Sequence, residues 1–206
     1  MANKMKLYLS LTSPYARKVR IAIEELGLGE QVEEVVVDPH ASPAELLAAN
    51  PLSKVPTLVT DRGEALPDSQ LILDYLGHRK TGLASLSRGA KRWEVLRRTL
   101  IADGVIDAAV SIVMEKRRPE GIHYIPFLDR QTATIRRALD VLNADAGLLA
   151  LQTPGLCEIT CGAALGYLDF RLPYLEWRKA REALATWYTV FAQRPSMQKT
   201  APPVAA

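Results

Sequence analysis

Between residues 6 and 11 the chain alternates, with Leu7, Leu9 and Leu11 on one face and Lys6, Tyr8 and Ser10 on the other. That period of two predicts a half-buried strand. The period then changes. Val19, Ala22, Ile23 and Leu26 recur at helical spacing, so a helix follows, with Ser13 as N-cap, Pro14 as first residue and Gly27 as stop. Beyond it, "QVEEVVV" (31–37) reads as strand and "PAELLAAN" (43–50) as a short helix that Ser42 is placed to cap. "VPTLVT" (55–60) and the short run before Pro67 flank "DRG", a hairpin turn. "SQLILDYL" (69–76) returns to the helical period with Ile72, Tyr75 and Leu76 on one face. The order β-α-β-α-β-β-α predicts a small mixed sheet with helices on it.

From 88 onward no strand pattern recurs. A long helix is expected over 88–118, with Trp93, Leu96, Leu100, Ile106, Val110 and Val113 at helical spacing. Further helices are expected over 126–146, 156–172 and 178–193, the last two stopped by Pro173 and Pro195. The aperiodic stretch "GHRKTGLASLS" (77–87) reads as a linker, dividing an α/β domain (1–80) from an all-helical one (88–206). The last residues, "APPVAA", read as frayed.

Composition narrows the chemistry. With 48% apolar and 24% charged residues in 206, the chain is of ordinary globular make-up, and a mixed net charge of +3 does not imply nucleic acid. No run approaches the ~18 apolar residues of a membrane span, and the polar N-terminus lacks signal-peptide character. His40, His78 and His123 have no ligand-like spacing, and HExxH, CxxC, P-loop and GxGxxG motifs are absent. No metal is expected. Cys157 and Cys161 stand four apart in an apolar, small-residue helix, which suits reduced core thiols in the cytoplasm.

Three short elements of the first half carry candidate chemistry. "TSPY" (12–15) puts the Ser13 hydroxyl at a helix N-terminus, at the carboxyl end of a strand. In "NPLSKVPTL" (50–58) Val55-Pro56 opens a strand where proline cannot donate to the ladder, and a cis bond fits there. "LPDSQLILDYL" (66–76) starts a helix at Asp68 and Ser69, whose side chains and free N–H groups suit a charged amino-acid end. Each element also has an ordinary reading: a cap, an edge proline, a helix start. Together they favour a site.

The succession S-P-Y-x-R-K-V-R, N-P-x-x-K-V-P-x-L and D-S-x-x-I-L-x-Y-L resembles the cytosolic glutathione transferase family, and "ADGVIDAAV", "KRRPE" and "GAALGYLDFR" are similar to its bacterial members. The resemblance covers nearly the whole chain. It implies a thioredoxin-like N-terminal domain, an all-helical C-terminal domain, glutathione as co-substrate and a homodimer. It implies Ser13 as the catalytic serine of a serine-type member, and Val55, before cis Pro56, as the backbone partner of the glutathione cysteine. Asp68 and Ser69 match the pair that binds the γ-glutamyl end. Lys54 stands near the glycine carboxylate, and Asp103 matches a position that in some members contacts the neighbouring subunit's glutathione. The expected activity is conjugation of the thiol to small hydrophobic electrophiles, a detoxification chemistry, in a pocket to which Thr12, Met114, Tyr124 and Tyr167 are assigned. Tyr8 is the rival hydroxyl donor, disfavoured by its mid-strand place. The S-S-C-x-W-R signature of the zeta-class isomerases is absent. The alternative is a non-catalytic binding protein of the stringent-starvation type. Two departures stand out: Asp68 where Glu is commoner, and Gly155 with Glu158 where a Ser/Thr-x-x-Asp capping box is usual.

Overall fold

The computed structural model describes residues 4–80 and 90–203. These form two compact units: one of residues 4–80 with 194–203, the other of residues 90–193.

The first unit is built on a four-stranded sheet of order β2-β1-β3-β4, from β1 (Met5–Leu9), β2 (Val32–Val36), β3 (Thr57–Val59) and β4 (Ala65–Pro67). β2 runs parallel to β1, whereas β3 is antiparallel to both β1 and β4. Met5, Leu7, Tyr8 and Leu9 are all buried, so β1 is covered on both faces rather than one, as befits an inner strand. α1 (Pro14–Glu25) follows it and buries the expected Val19, Ala22 and Ile23. Its end is a Schellman turn: Gly27, at φ +59, donates to the Glu24 carbonyl and Leu28 to that of Ile23. Two basic residues of α1, Arg17 and Lys18, are buried as well. Arg17 donates to the Met197 carbonyl at 3.1 Å, and the Lys18 ammonium lies 5.6 Å from the Tyr15 ring centre.

α2 (Ala44–Ala49) corrects one expectation. Its cap position is Pro43, and Ser42 sits left-handed at φ 47 with its hydroxyl accepting from Ser53 instead. The DRG turn is a hairpin held by Thr60, whose Oγ1 accepts from the N–H groups of Arg62 and Glu64, with Gly63 at φ +84. α3 (Ser69–Arg79) buries Ile72, Leu73 and Leu76. Leu73 takes the inward place expected of Tyr75, whose hydroxyl accepts from Arg79 at the surface. Because α3 runs on to Arg79, the first three residues of the expected linker are helical; residues 81–87 lie outside the described residues.

The second unit contains α4 (Ala90–Lys116), α5 (Ile125–Ala144), α6 (Leu156–Arg171) and α7 (Glu182–Phe191), with α4 packed on both α5 and α6. α6 is buried continuously from Cys157 to Leu168. Glycine at its cap offers no side chain, but Glu158 makes its half of the box, accepting from Gly155 N–H at 2.8 Å and from Ala150 N–H at 3.1 Å. On α4 the core residues are Ala102, Val105, Ile106, Ala109 and Ile112, whereas Trp93 and Leu100, expected at the same period, are 68% and 60% exposed.

Pro195 does not merely stop α7. It opens α8 (Pro195–Lys199), where a missing N–H costs nothing, and α8 packs on α1 in the first unit rather than with the helical one. Arg194 and Ser196 both donate to the Glu25 carboxylate. Burial raises that carboxyl's pKa, but the bonds from Arg194 and Ser196 and the Arg194 charge outweigh it and hold the group below its ordinary value. Such a group adds stability that is full above the unfolded-state pKa of ~4.3 and drains as pH falls through the lower folded value. Glu25→Gln should therefore be less stable at neutral pH than wild type, with the gap closing toward about pH 3. Urea melts at the two pH values check this; a constant gap would contradict it.

Candidate functional site

The sheet register decides which sequence motifs meet. Tyr8 near the end of β1 pairs with Thr57 at the start of β3, and Thr57 pairs with Pro67 at the end of β4. One end of the sheet therefore gathers the three candidate elements. The loop to Ser13 leaves β1 there, Val55-Pro56 enters β3 there, and Asp68-Ser69 leaves β4 there. α1 and α3 both begin at this end, so their N-terminal N–H groups and positive dipole ends point the same local charge at it.

Ser13 is half-buried, extended at φ −78, ψ 123, and its Oγ accepts from Ala16 N–H at 3.2 Å. That cap uses an oxygen lone pair. The hydroxyl proton has no acceptor among the described residues and remains available to one brought by a ligand. Tyr8, the rival donor, is buried within β1 at 8% exposure.

The Val55–Pro56 bond is cis, as expected. Pro56 is buried, and Val55 lies just outside β3 with neither its N–H nor its C=O bonded among the described residues. A donor and an acceptor on one residue beside a strand end can pair with an extended peptide. Asn50, which sequence reasoning quoted but gave no role, holds this loop. It is 1% exposed; its amide donates to the Lys54 carbonyl at 3.1 Å and to Thr57 Oγ1 at 2.9 Å, and accepts from Leu52 N–H at 3.0 Å. Thr57 completes the ring by donating to the same carbonyl at 2.8 Å. Lys54 contributes its backbone to the loop and leaves its side chain exposed.

Asp68 caps α3 by accepting from Gln70 N–H at 2.7 Å, while its own backbone sits at φ 76. A non-glycine residue there costs ~1–3 kcal/mol, a strain that tends to persist at functional sites. Ser69 follows as the first residue of α3, only 3% exposed, with its N–H lacking an acceptor among the described residues. A hydroxyl and an N–H at a helix start suit a carboxylate. Asp103 is half-buried on α4 in the helical unit, outside the sheet register that gathers the other six residues.

Cys157 and Cys161 are free thiols, both buried in α6. The hydrogen bond with Cys157 and complete burial hold the Cys161 thiol well above its ordinary range. These are inert groups. No cluster of three or more metal-ligating side chains occurs among the described residues, and no helix among them is long and apolar enough to cross a membrane.

Comparison with known proteins matches residues 7–83 to the glutathione S-transferase N-terminal domain and residues 125–189 to the corresponding C-terminal domain. A GST-like protein of Escherichia coli, YibF, is 35% identical over 98% of this chain and 100% of its own. Two crystal structures of a glutathione transferase family member from Pseudomonas fluorescens Pf-5 are also similar, each covering 98% of this chain and 100% of that one. One, with bound glutathione, is 41% identical at a TM-score of 0.92; the other, with bound S-(propanoic acid)-glutathione, is 39% identical at 0.88. A shorter match is to a stringent starvation protein A homolog of Pasteurella multocida, 40% identical over 81 residues, 38% of this chain and 37% of that protein.

Proposed function

The chain belongs to the glutathione transferase family, and we propose that it binds glutathione at this sheet end, activates its thiol and transfers it to an electrophile. The observation that carries this reading is the convergence, through the Tyr8–Thr57–Pro67 register, of Ser13, Val55 and Ser69. The cysteinyl backbone of glutathione pairs with the N–H and C=O of Val55. Its γ-glutamyl carboxylate takes the Ser69 N–H and hydroxyl at the start of α3, with Asp68 beside the amino group and Lys54 toward the glycine end. The thiol is left facing Ser13. There it loses its proton to solvent, and the Ser13 hydroxyl donates to the thiolate while the α1 dipole favours its charge. The thiolate then attacks an electrophilic carbon, forming the C–S bond as the leaving group departs with the displaced electron pair. The relative's structure with S-(propanoic acid)-glutathione supports a site that accepts a sulfur-substituted glutathione.

Ser69 should serve ground-state binding. Ser69→Ala is expected to raise the Michaelis constant for glutathione about tenfold and leave turnover at saturation within twofold. An unchanged Michaelis constant would remove Ser69 from the site. The partial match to a stringent starvation protein A homolog favours a second reading, a non-catalytic protein of this fold. Retention on immobilised glutathione, followed by a chloronitrobenzene conjugation assay, separates the two.

We further propose a cytoplasmic homodimer. Trp93 and Leu100, seven apart on α4 and exposed in the single chain, supply an apolar stripe for a symmetric partner, and Asp103 on the same helix would approach its glutathione. Sedimentation at micromolar concentration should give twice the chain mass of 22.7 kDa, and Trp93→Glu should give the single mass. A wild-type monomer would contradict this.

A further inference from the structure

The chain finishes in the unit it began in, and α8 packs on α1, the helix that Ser13 caps. Ser196, Met197 and Thr200 are buried there, each at 4% exposure or less. The contact is polar from one end of α1 to the other. Arg17, in the first turn, donates to the Met197 carbonyl at 3.1 Å, and Arg20, a turn further on, to the Thr200 carbonyl at 3.5 Å. Glu24 accepts from Lys199 at 2.8 Å; Glu25 accepts from Arg194 at 2.7 Å and from Ser196. By helical period, positions 17, 20 and 24 share one stripe, on the side of α1 away from Val19, Ala22 and Ile23.

An anchored C-terminus is the ordinary reading of such bonds. Apolar burial is non-directional, however, and holds a helix without fixing how far it slides along its axis. Hydrogen bonds do fix that, and those made by guanidinium and carboxylate groups are the stronger kind. Arg17 gives this anchoring a consequence for the site. Its N–H donates to the Ser13 carbonyl at 3.0 Å while its guanidinium holds the Met197 carbonyl, so one residue joins α8 to the helix cap. The cap bond itself is slack: Ser13 Oγ takes the Ala16 N–H at 3.2 Å, the long end of the usual range. A reacting group tolerates little error of placement, since a shift of ~1 Å can cost ~10²-fold in rate.

We propose that α8 sets the position of α1, and so of the Ser13 hydroxyl against the glutathione sulfur, with Arg17 as the positioning residue. The inference rests on the thiol-activation reading above. Arg17 acts through Ser13 rather than on the sulfur, and Arg194, Ser196 and Lys199 hold the far end of the same helix in register.

The ultraviolet absorbance of the thiolate, followed across pH with glutathione bound, tests this in wild type, Arg17→Met, Ser13→Ala and the double variant. Arg17→Met should raise the thiol's pKa by about half a pH unit or more, which cuts the thiolate fraction near pH 7 about threefold, and should leave the glutathione Kd within about threefold. In the Ser13→Ala background the same substitution should move the pKa no more than about half as far, because the group it positions is gone. Ser196→Ala removes one oxygen and loosens α8 from Glu25. It should move the pKa the same way, by about 0.2 or more, and it decides the matter where Arg17→Met folds poorly. A purely structural α8 predicts a lower melting temperature in these variants and an unmoved thiol pKa. That result, or equal shifts with and without Ser13, would overturn the positioning role alone. Ser13→Ala with the wild-type thiol pKa would overturn thiol activation by Ser13, and this inference with it.

Discussion

Ser13→Ala should slow conjugation at neutral pH by about tenfold or more, with less than about threefold change in the Michaelis constant for glutathione. A free thiol has a pKa of ~8.5, so only a few per cent is thiolate near pH 7. Each unit by which the site lowers that value represents ~1.4 kcal/mol of preference for the thiolate. The hydroxyl supplies part of it and the α1 dipole the rest, because the serine both caps the helix and keeps its proton free. Removing it leaves the dipole and takes the hydrogen bond. The pH–rate profile should therefore shift upward, and the two enzymes should converge in alkali, where the thiol ionises unaided. A cap alone predicts something else: a loss of roughly 1 kcal/mol of stability and no movement of the profile.

Asn50→Ala should cost about 2–4 kcal/mol of stability, far more than an ordinary turn substitution. Asn50 makes three hydrogen bonds, and truncation orphans the Leu52 N–H while removing the only side-chain brace between residue 50 and the Val55 loop in that network. Because the same loop presents the Val55 backbone, the variant should also bind glutathione more weakly wherever it remains folded. Asn50→Asp keeps the bond from Leu52 N–H but faces the Lys54 carbonyl with another acceptor, so it should not rescue the loop. A loss under about 1 kcal/mol with an unchanged Michaelis constant would refute the brace.

The residues of the candidate site were legible because each sat in a local pattern. Ser13-Pro14 before a helical period, a proline opening a strand and Asp68-Ser69 before another helix are signals within four or five residues. Their convergence was not local, since it depends on Thr57 pairing with both Tyr8 and Pro67. The family resemblance supplied that step. Asn50 was missed because a buried amide looks, in sequence, like any turn residue. Trp93 and Leu100 show a different limit: periodicity says which residues share a helix face, and not whether the chain itself covers that face. The helix α8 was hidden because Pro195 serves equally as a stop and as a first residue.

The central claim is that the sulfur of glutathione rests against residue 13. Ser13→Cys tests it directly, because a cysteine at a helix N-terminus is acidified and attacks a disulfide, releasing one glutathione thiolate and keeping the other half as a mixed disulfide. The variant should be treated with oxidised glutathione, digested and read by mass spectrometry, with buried Cys157 and Cys161 as internal controls. One glutathione on the peptide carrying residue 13, none on the other two, is the expected result. Adducts on Cys157 or Cys161 with residue 13 unmodified would place the thiol elsewhere.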